Sequence, residues 1–450
     1  MNHQPVLDPD FLPAVLWNRA YRALPNAQPL GIALERGDGT RSVFKTRVTL
    51  EDMPRTRKYV ERLVKFLLWQ RGGFRVTIGG DPAIAVMIRD IYSPGGERAF
   101  DYEFMGEKVY GRQMTVEHCA YEALPEPCES SMPLGRNLDG CRIGFDLGGS
   151  DRKCAALIDG KVVFSEEIAW NPYFETNPQY HLDGIDDSLR RAAAHLPRVD
   201  AIGGSAAGVY VNNEVRVASL FRGVSKEDFE RVVRRIFFTL KEKWGGVPFE
   251  VVNDGEVTAL AGSLSLQDNE VLGISLGTSQ AGGYVDPHGH ILPWLNELAF
   301  APVDYRDNAP ADEWSGDIGC GVQYFSQQAV ARLVPKAGIS VKEGMPFAEI
   351  LVEVQKLMAQ GDDRARKIYE TIGVYLGYTI AHYAEFYELR NALILGRVTS
   401  GKGGDLIIEK AETVLKDEFP ALAKRIRLCT PNEQDKRHGQ AIAAASLPKI

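Results

Sequence analysis

One short motif occurs twice in this 450-residue chain. Residues 143–150 (IGFDLGGS) return as residues 272–279 (LGISLGTS), with the same Gly, Leu, Gly and Ser at four positions. Each copy continues through its Gly/Ser/Thr turn into a second apolar run, at 154–158 and 281–285, which is the pattern of a tight β-hairpin. The duplication therefore predicts a molecule of two halves, each containing one such hairpin.

A glycine turn of this kind lets backbone N–H groups face an anion, because no Cβ shields them. Two such hairpins, one in each half, can hold a polyphosphate between them, so the motif favours a kinase or an ATPase. In this interpretation Gly148, Gly149 and Ser150 donate to the β- and γ-phosphates. Arg152 or Lys153 adds positive charge there.

Two aspartates are predicted to end strands. Asp146 ends the first strand of the first hairpin, and one carboxylate is adequate to orient Mg²⁺, which keeps several of its waters. Asp254 follows the predicted strand 249–252 and precedes a helix, so it lies at the carboxyl edge of a sheet, where ligands of open α/β sheets bind. The alternative is that Asp254 only caps that helix, as Asp commonly does.

Composition excludes several classes of protein. A net charge of −8 and a pI near 5.6 argue against a nucleic-acid surface, which needs clustered Lys and Arg. The sequence has neither a signal-peptide pattern nor about 18 consecutive apolar residues, so we expect a cytoplasmic protein without a membrane partner. Six cysteines without a C-x-x-C pair indicate neither a disulfide framework nor a zinc knuckle.

Residues 1–140 read as an accessory α/β domain and its linker, which we expect to pack on the rest of the chain or to form a subunit contact. Its predicted elements are helices at 55–71 and 84–91 and strands at 74–78, 99–104 and 108–116. From residue 142 onward strands alternate with helices, which indicates an α/β sheet with crossover helices.

The order of the motifs resembles the ROK family of sugar kinases, members of the actin-like ATPase and hexokinase fold, over residues 142–445. The matching segments are residues 142–156, 251–262, 276–283 and 361–400. The resemblance implies a two-lobed, ribonuclease H-like α/β fold with an extra N-terminal α/β domain. Lobe I is expected at 141–255 and lobe II at 256–450, with the C-terminal helix returning to lobe I.

By this resemblance, the chain transfers the γ-phosphate of ATP, with Mg²⁺, to a hydroxyl of a hexose or hexose derivative, as a glucokinase does. Asp254 is then the general base, and Asn253 and Glu297 bind the sugar. The implied nucleotide-binding residues are Asp146, Gly148, Gly149, Ser150, Lys153, Gly277, Thr278, Gly396 and Thr399, with Asp146 also holding Mg²⁺ through water.

The chain also departs from the family pattern. Phe300 stands where the family has a zinc-binding histidine, and of three zinc cysteines only Cys320 is present. We expect no zinc site, because structural zinc needs four N or S ligands. Residues 217–221 lack the family's sugar-contacting asparagine, so the acceptor can differ from glucose. Trp294 is a candidate for stacking on a sugar, although core packing is the commoner role.

Two alternatives and one open question remain. A sugar- and nucleotide-binding regulator or scaffold of the same family would lack kinase activity. A sugar-sensing transcriptional repressor is disfavoured, because residues 1–140 contain strands and lack a helix-turn-helix pattern. A homodimer is left open, and His181, His288 and His290 read as surface residues.

Overall fold

The computed structural model describes residues 1–129, 134–431 and 435–450, and of residues 435–438 the backbone alone. Over these ranges the chain forms mixed α/β layers organised around an N-terminal sheet, a first sheet and a second sheet. Within the same ranges, no helix combines the length and the apolarity that a membrane crossing needs.

The N-terminal unit, residues 1–129, contains a four-stranded sheet with the order β2-β1-β3-β4. Strand β1 is antiparallel to both of its neighbours, β2 and β3, whereas β4 is parallel to β3. Helix α2 is its longest element; Asp52 caps its start and Gly72, at φ +74°, ends it. The elements are α1 (Ala14–Arg22), β1 (Gln28–Glu35), β2 (Arg41–Val48), α2 (Met53–Arg71), β3 (Arg75–Gly79), α3 (Pro82–Ile91), α4 (Ala99–Glu103), a π-helix (Phe104–Tyr110) and β4 (Thr115–Cys119).

The strand predicted at 99–104 is wrong, and so is most of the strand predicted at 108–116. The chain is helical from Ala99 to Tyr110, and only β4 is a strand. Phe100 and Phe104 lie four residues apart, which places both on one helix face against Trp69. Between them, the buried Asp101 accepts hydrogen bonds from side chains of α2. Tertiary packing of these aromatic rings therefore overrides their β propensity.

The first sheet has the order β11-β8-β5-β6-β7, and β5, β8 and β11 are parallel, so their carboxyl ends meet at one edge. Strands β5 and β6 form the first predicted glycine hairpin. The elements are β5 (Cys141–Leu147), β6 (Asp151–Ile158), β7 (Lys161–Ala169), α5 (Pro178–Ala193), β8 (Ala201–Ala206), the ribbon strands β9 (Val209–Val211) and β10 (Glu214–Val217), α6 (Lys226–Arg231), α7 (Ile236–Lys243) and β11 (Phe249–Asn253).

The second sheet has the order β13-β12-β14-β15, and its β12 and β13 form the second predicted glycine hairpin. The elements are α8 (Asp254–Leu266), β12 (Val271–Leu276), β13 (Gln280–Val285), α9 (Gln327–Leu333), α10 (Phe347–Ala359), α11 (Asp363–Tyr383), β14 (Asn391–Leu395), α12 (Lys402–Glu418), α13 (Pro420–Ala423), β15 (Arg427–Cys429) and α14 (Asp435–Ala445).

Helix α14 packs back on β5, β6 and β8 of the first sheet. The approach is close because glycines face the helix: a Cβ on Gly144 would lie 1.7 Å from the Ala441 carbonyl oxygen, and one on Gly203 would lie 1.7 Å from that of Ala444. Only glycine allows this helix–sheet distance.

The N-terminal unit and the second sheet share one continuous hydrophobic core. A balanced set of buried charges crosses their boundary. Lys65 on α2 lies 2.8 Å from the Asp101 carboxylate and 3.1 Å from that of Asp317, which belongs to the loop before α9. The buried members of this network, called here the α2 charge network, are Glu61, Arg62, Lys65, Arg98, Asp101 and Asp317.

We predict that Asp317→Asn lowers the free energy of unfolding by about 3–5 kcal/mol, because it leaves buried cations without their shared carboxylate. Chemical denaturation measures this loss. The control is Asp307→Asn, which removes a pair with Lys58 in which the Asp307 side chain is 96% exposed; we expect it to cost at most about 1 kcal/mol. Equal costs for the two variants would contradict a structural role for the network.

Candidate active site

The carboxyl edge of the first sheet brings the predicted polar residues together. Asp146 on β5 lies beside Ser205 on β8, and Asn253 on β11 lies beside Ala206. The Ser205 hydroxyl donates a 2.7 Å hydrogen bond to Oδ1 of Asp146, which orients that carboxylate. Burial raises the pKa of Asp146, which this hydrogen bond and the nearby Lys153 oppose. Sequence reasoning missed Ser205, because its role depends on the strand pairing.

Asn253, and not Asp254, is the N-cap of α8. Its Oδ1 accepts a 2.7 Å hydrogen bond from the Gly255 N–H, while its Nδ2 donates to the Gly208 carbonyl at 2.7 Å. Asp254 is the first helical residue, with its Oδ1 3.0 Å from the same Gly255 N–H. The cap is therefore already supplied by the neighbouring amide, which weakens the alternative that Asp254 is present only to cap the helix.

Asp254 carries a perturbed carboxyl group. Burial raises its pKa to about 6, and the negative charge of Asp146 adds to the effect. A carboxylate with a pKa near 6 is mostly ionised at neutral pH and is a stronger base than an ordinary aspartate. The arrangement at this edge therefore provides a proton acceptor next to a second acidic group.

A cavity of about 140 Å³ lies at this edge and contains both predicted sugar-binding residues, Asn253 and Glu297. Burial raises the pKa of Glu297 to about 7, with a contribution from the charge of Asp254. The other lining residues are Arg36, Gly37, Asp38, Tyr110, Leu134, Gly208, Val209, Tyr210, Val211, Asn212, Asn213, Glu250, Val251, Val252, Glu256, Ile291, Leu292, Pro293, Trp294 and Leu295.

Glu256 is a second residue that sequence reasoning missed. It is buried in the first turn of α8, where it accepts hydrogen bonds from the Asn296 side chain and from the Tyr284 N–H. Burial raises its pKa to about 8 against these two hydrogen bonds, and the charge of Glu297 raises it further.

In each glycine hairpin, one backbone N–H of the glycine turn forms a hydrogen bond within the turn itself. The Gly148 N–H donates to the Asp151 carbonyl at 2.9 Å, and the Gly277 N–H donates to the Ser279 carbonyl at 3.0 Å. In this structure these two amides are therefore engaged within the turns. Ser150 is exposed at the first tip, and Thr278 and Ser279 are exposed at the second.

Lys153 supplies the positive charge at the first hairpin. Its Nζ lies 3.8 Å from Asp146 Oδ2 and 3.3 Å from Asp151 Oδ1. Arg152, the alternative, points elsewhere: it is buried and donates to the Gly184 carbonyl and to Asp187. Of the two cations, Lys153 is the one beside Asp146.

The predicted adenosine turn lies against the second hairpin. Gly396 adopts φ +102°, and a Cβ there would lie 2.5 Å from the Leu276 carbonyl oxygen. The Thr399 hydroxyl donates a 2.8 Å hydrogen bond to the Gly396 carbonyl and so stabilises the turn. The structure thus brings Gly396 and Thr399 next to the strand that leads into Gly277 and Thr278.

Phe300 and Cys320, which by the resemblance stand at two positions of the family's zinc ligands, lie in packed surroundings. Phe300 contacts the Trp69 ring at a centroid distance of 4.3 Å, and the buried Cys320 Sγ lies 3.6 Å from Asp317 Oδ2. Among the residues that the structure describes, no three His, Cys, Asp or Glu side chains form a metal-binding group.

The structure also places His181, predicted at the surface, and Trp294, the candidate for stacking on a sugar. The surface assignment of His181 is wrong: it is buried on α5 with its Nε2 about 3.0 Å from the Leu220 carbonyl, and burial lowers its pKa. Trp294 does line the cavity, but Tyr284 stacks on its ring and the Arg71 guanidinium lies 5.0 Å from its centre. The Trp294 ring therefore packs against other protein side chains in the lining of the cavity.

The sequence matches no protein-family model and no curated protein. The fold is similar to a ROK hexokinase from Thermus thermophilus, with a TM-score of 0.54 and 18% identity over 68% of this chain and 96% of that one. It is also similar to a ROK family transcriptional regulator, a homolog of the E. coli MLC protein, with a TM-score of 0.51 and 19% identity over 69% of this chain and 78% of that one. The predicted two-lobed actin-like ATPase fold is confirmed.

We predict that Gly149→Ala lowers the free energy of unfolding by about 1–3 kcal/mol through overpacking. A Cβ on Gly149 would lie 2.1 Å from the Tyr173 hydroxyl. In a Tyr173→Ala background the same substitution should cost less, which a double-mutant cycle on thermal unfolding measures. As a control, Gly277→Ala should cost less than Gly149→Ala, because its nearest neighbour is at 3.5 Å. Additive costs would contradict this contact.

Proposed function

We propose that this chain is an ATP-dependent sugar kinase of the ROK family, which transfers the γ-phosphate to a hydroxyl of a hexose or hexose derivative. The observation that carries the proposal is the position of Asp254. It follows β11 at the carboxyl edge of the first sheet and has a pKa raised to about 6. It directly follows Asn253, which lines the cavity, and its charge raises the pKa of Glu297, which lines the cavity as well. A hexokinase with the same fold supports it.

In the proposed mechanism, Asp254 takes the proton of the attacking hydroxyl. Glu297 accepts hydrogen bonds from other hydroxyls, and the Asn253 amide retains one N–H and one lone pair beyond its two hydrogen bonds. Together these groups orient the acceptor, which accounts for much of the catalysis in phosphoryl transfer. Closure of lobe I (141–255) on lobe II (256–450) would exclude water.

The residues at the hairpins fit ATP and Mg²⁺. Asp146 has one oxygen engaged by Ser205, which leaves the other for a water of Mg²⁺, and Lys153 provides a cation beside it. Ser150 and Thr278 are exposed at the two tips, where phosphate oxygens can meet them. The Ser150 hydroxyl donates to Asp151 Oδ2 at 2.8 Å and would exchange that partner for a phosphate oxygen. When bound, ATP supplies the phosphoryl group and Mg²⁺ neutralises its charge. Gly396 and Thr399 would hold the adenosine.

We predict that Asp254→Asn lowers turnover by about 10²- to 10⁴-fold while nucleotide binding stays nearly unchanged, because the amide cannot take up the proton. An ADP-release assay over hexoses, amino sugars and N-acylated sugars identifies the acceptor first, and nucleotide titration follows for the variant. The control is Asp362→Asn at the N-cap of α11, with turnover expected at the wild-type level. Near-normal turnover of Asp254→Asn would refute the mechanism.

We also predict the pH dependence of kcat/KM. Asp254 acts as a base only when ionised, and its pKa is raised from 3.8 to about 6. Activity should therefore fall as the pH drops through about 6, two units above the range of an ordinary aspartate. A profile that stays flat down to pH 4.5, with the protein still folded, would show that Asp254 does not transfer the proton.

A second candidate is a sugar-binding regulator without kinase activity, which the similarity in fold to a transcriptional regulator favours. The two candidates differ in one measurement. Sugar binding by calorimetry without ADP release in the presence of ATP would favour the regulator. A salt-dependent DNA-binding assay would then separate a DNA-binding repressor, which the lack of a helix-turn-helix pattern in residues 1–140 disfavours, from a regulator that does not bind DNA.

A further inference from the structure

The acceptor cavity of the proposed kinase has a wall that lies outside the two predicted lobes. Arg36, Asp38 and Tyr110 of the N-terminal unit line it together with Asn253 and Glu297. We propose that this N-terminal wall determines acceptor specificity: Asp38 contacts the acceptor directly, and the rest of the wall positions Glu297 and limits the acceptor to one sugar ring. The inference rests on the proposed function.

Asp38 has the geometry of a contact residue. It lies in the turn between β1 and β2, where its Oδ1 accepts hydrogen bonds from the Thr40 N–H at 2.9 Å and from the Thr40 hydroxyl at 2.6 Å. The turn is thereby held in place through one carboxylate oxygen. Oδ2 is left to accept a hydrogen bond from a sugar hydroxyl, and a carboxylate is a strong acceptor.

Glu129 joins this wall to the second half of the chain. Its Oε2 accepts hydrogen bonds from Arg36 Nη2 at 2.9 Å, from the Ser42 hydroxyl at 3.0 Å and from Trp294 Nε1 at 2.9 Å. Arg36 and Ser42 belong to the N-terminal unit, whereas Trp294 lines the cavity three residues before Glu297. A single carboxylate oxygen therefore aligns two sides of the cavity, and Glu129 is a positioning residue.

The end of α2 holds the sugar-binding glutamate itself. The Glu297 N–H donates to the Trp69 carbonyl at 2.9 Å, and the Asn296 N–H donates to the Gln70 carbonyl at 2.8 Å. These carbonyls are among the last of the helix, which lack partners within the helix. The N-terminal unit therefore sets the backbone position of Glu297.

The wall also contacts the other side of the cavity. The π-helix that ends at Tyr110 packs against β9 and β10, and Val209 of β9 is buried in the core that the N-terminal unit shares with the second sheet.

The cavity volume of about 140 Å³ is below the roughly 300 Å³ at the lower end for drug-sized ligands. Such a space fits one sugar ring.

The experiment compares full-length Asp38→Asn with Asp81→Asn. Both aspartates accept backbone N–H groups at turns, but Asp81 caps α3 away from the cavity. Calorimetry and steady-state kinetics use glucose, mannose, glucosamine and the disaccharide maltose. We expect Asp38→Asn to raise Kd and KM of the best monosaccharide about 10-fold, as loss of one hydrogen bond to a charged group does, with KM for ATP unchanged. Asp81→Asn should match the wild type, and maltose should not bind.

Glu129→Ala tests the positioning role, with Glu126→Ala in the same segment as its control. We expect Glu129→Ala to raise KM for the sugar and leave KM for ATP unchanged. Wild-type sugar KM in both Asp38→Asn and Glu129→Ala, or turnover of maltose equal to that of a monosaccharide, would overturn the inference. Sugar binding without ADP release would instead overturn the proposed function, and the Kd of Asp38→Asn would still test the wall.

Discussion

The α2 charge network is the interaction on which the arrangement of this molecule depends. Lys65 is fully buried and bridges Asp101 of the N-terminal unit to Asp317 of the second half. Removing charges from water costs several kcal/mol per ion, and this cost is offset only where partners and hydrogen bonds are complete. The buried charges of α2 are all paired only when α2 lies in this position against the loop that contains Asp317, so the network fixes the position of α2 relative to the second half of the chain. The end of the same helix holds Glu297, which links the buried charges to the cavity.

The carboxyl groups in and beside the cavity have a shared electrostatic pattern. Asp254, Glu297 and Glu256 have pKa values raised to about 6, 7 and 8 by burial. At neutral pH the three carboxyl groups therefore hold fewer than three negative charges, which lets them lie close together. Graded values of this kind allow neighbouring carboxyl groups to act differently, one as a proton acceptor and another as a hydrogen-bonding group.

The elements that could be predicted from the sequence are those that depend on residues close together in the chain. Both hairpins, and helix α2 from its apolar spacing and its terminal glycine, follow from patterns within a few residues. The helix at Ala99 was missed because its aromatic residues are ordered by Trp69, some 30 residues earlier. Ser205 and Glu129 were missed for the same reason, since their partners come from other strands and loops. The N-terminal wall of the cavity depends on packing between distant segments, which no local pattern encodes.

The close packing of α14 on Gly144 and Gly203 has a consequence for how the chain is made. The helix that covers the β5–β6–β8 face follows β5 by almost 300 residues in the chain, so it is synthesised long after these strands. Until then this face of the first sheet lacks its cover, although the strands themselves are already synthesised. The long sequence separation of these contacts also slows folding. Docking of α14 is thus a late step in the folding of this half of the chain, and an apolar sheet face that waits for its cover is a site where incompletely folded chains can associate.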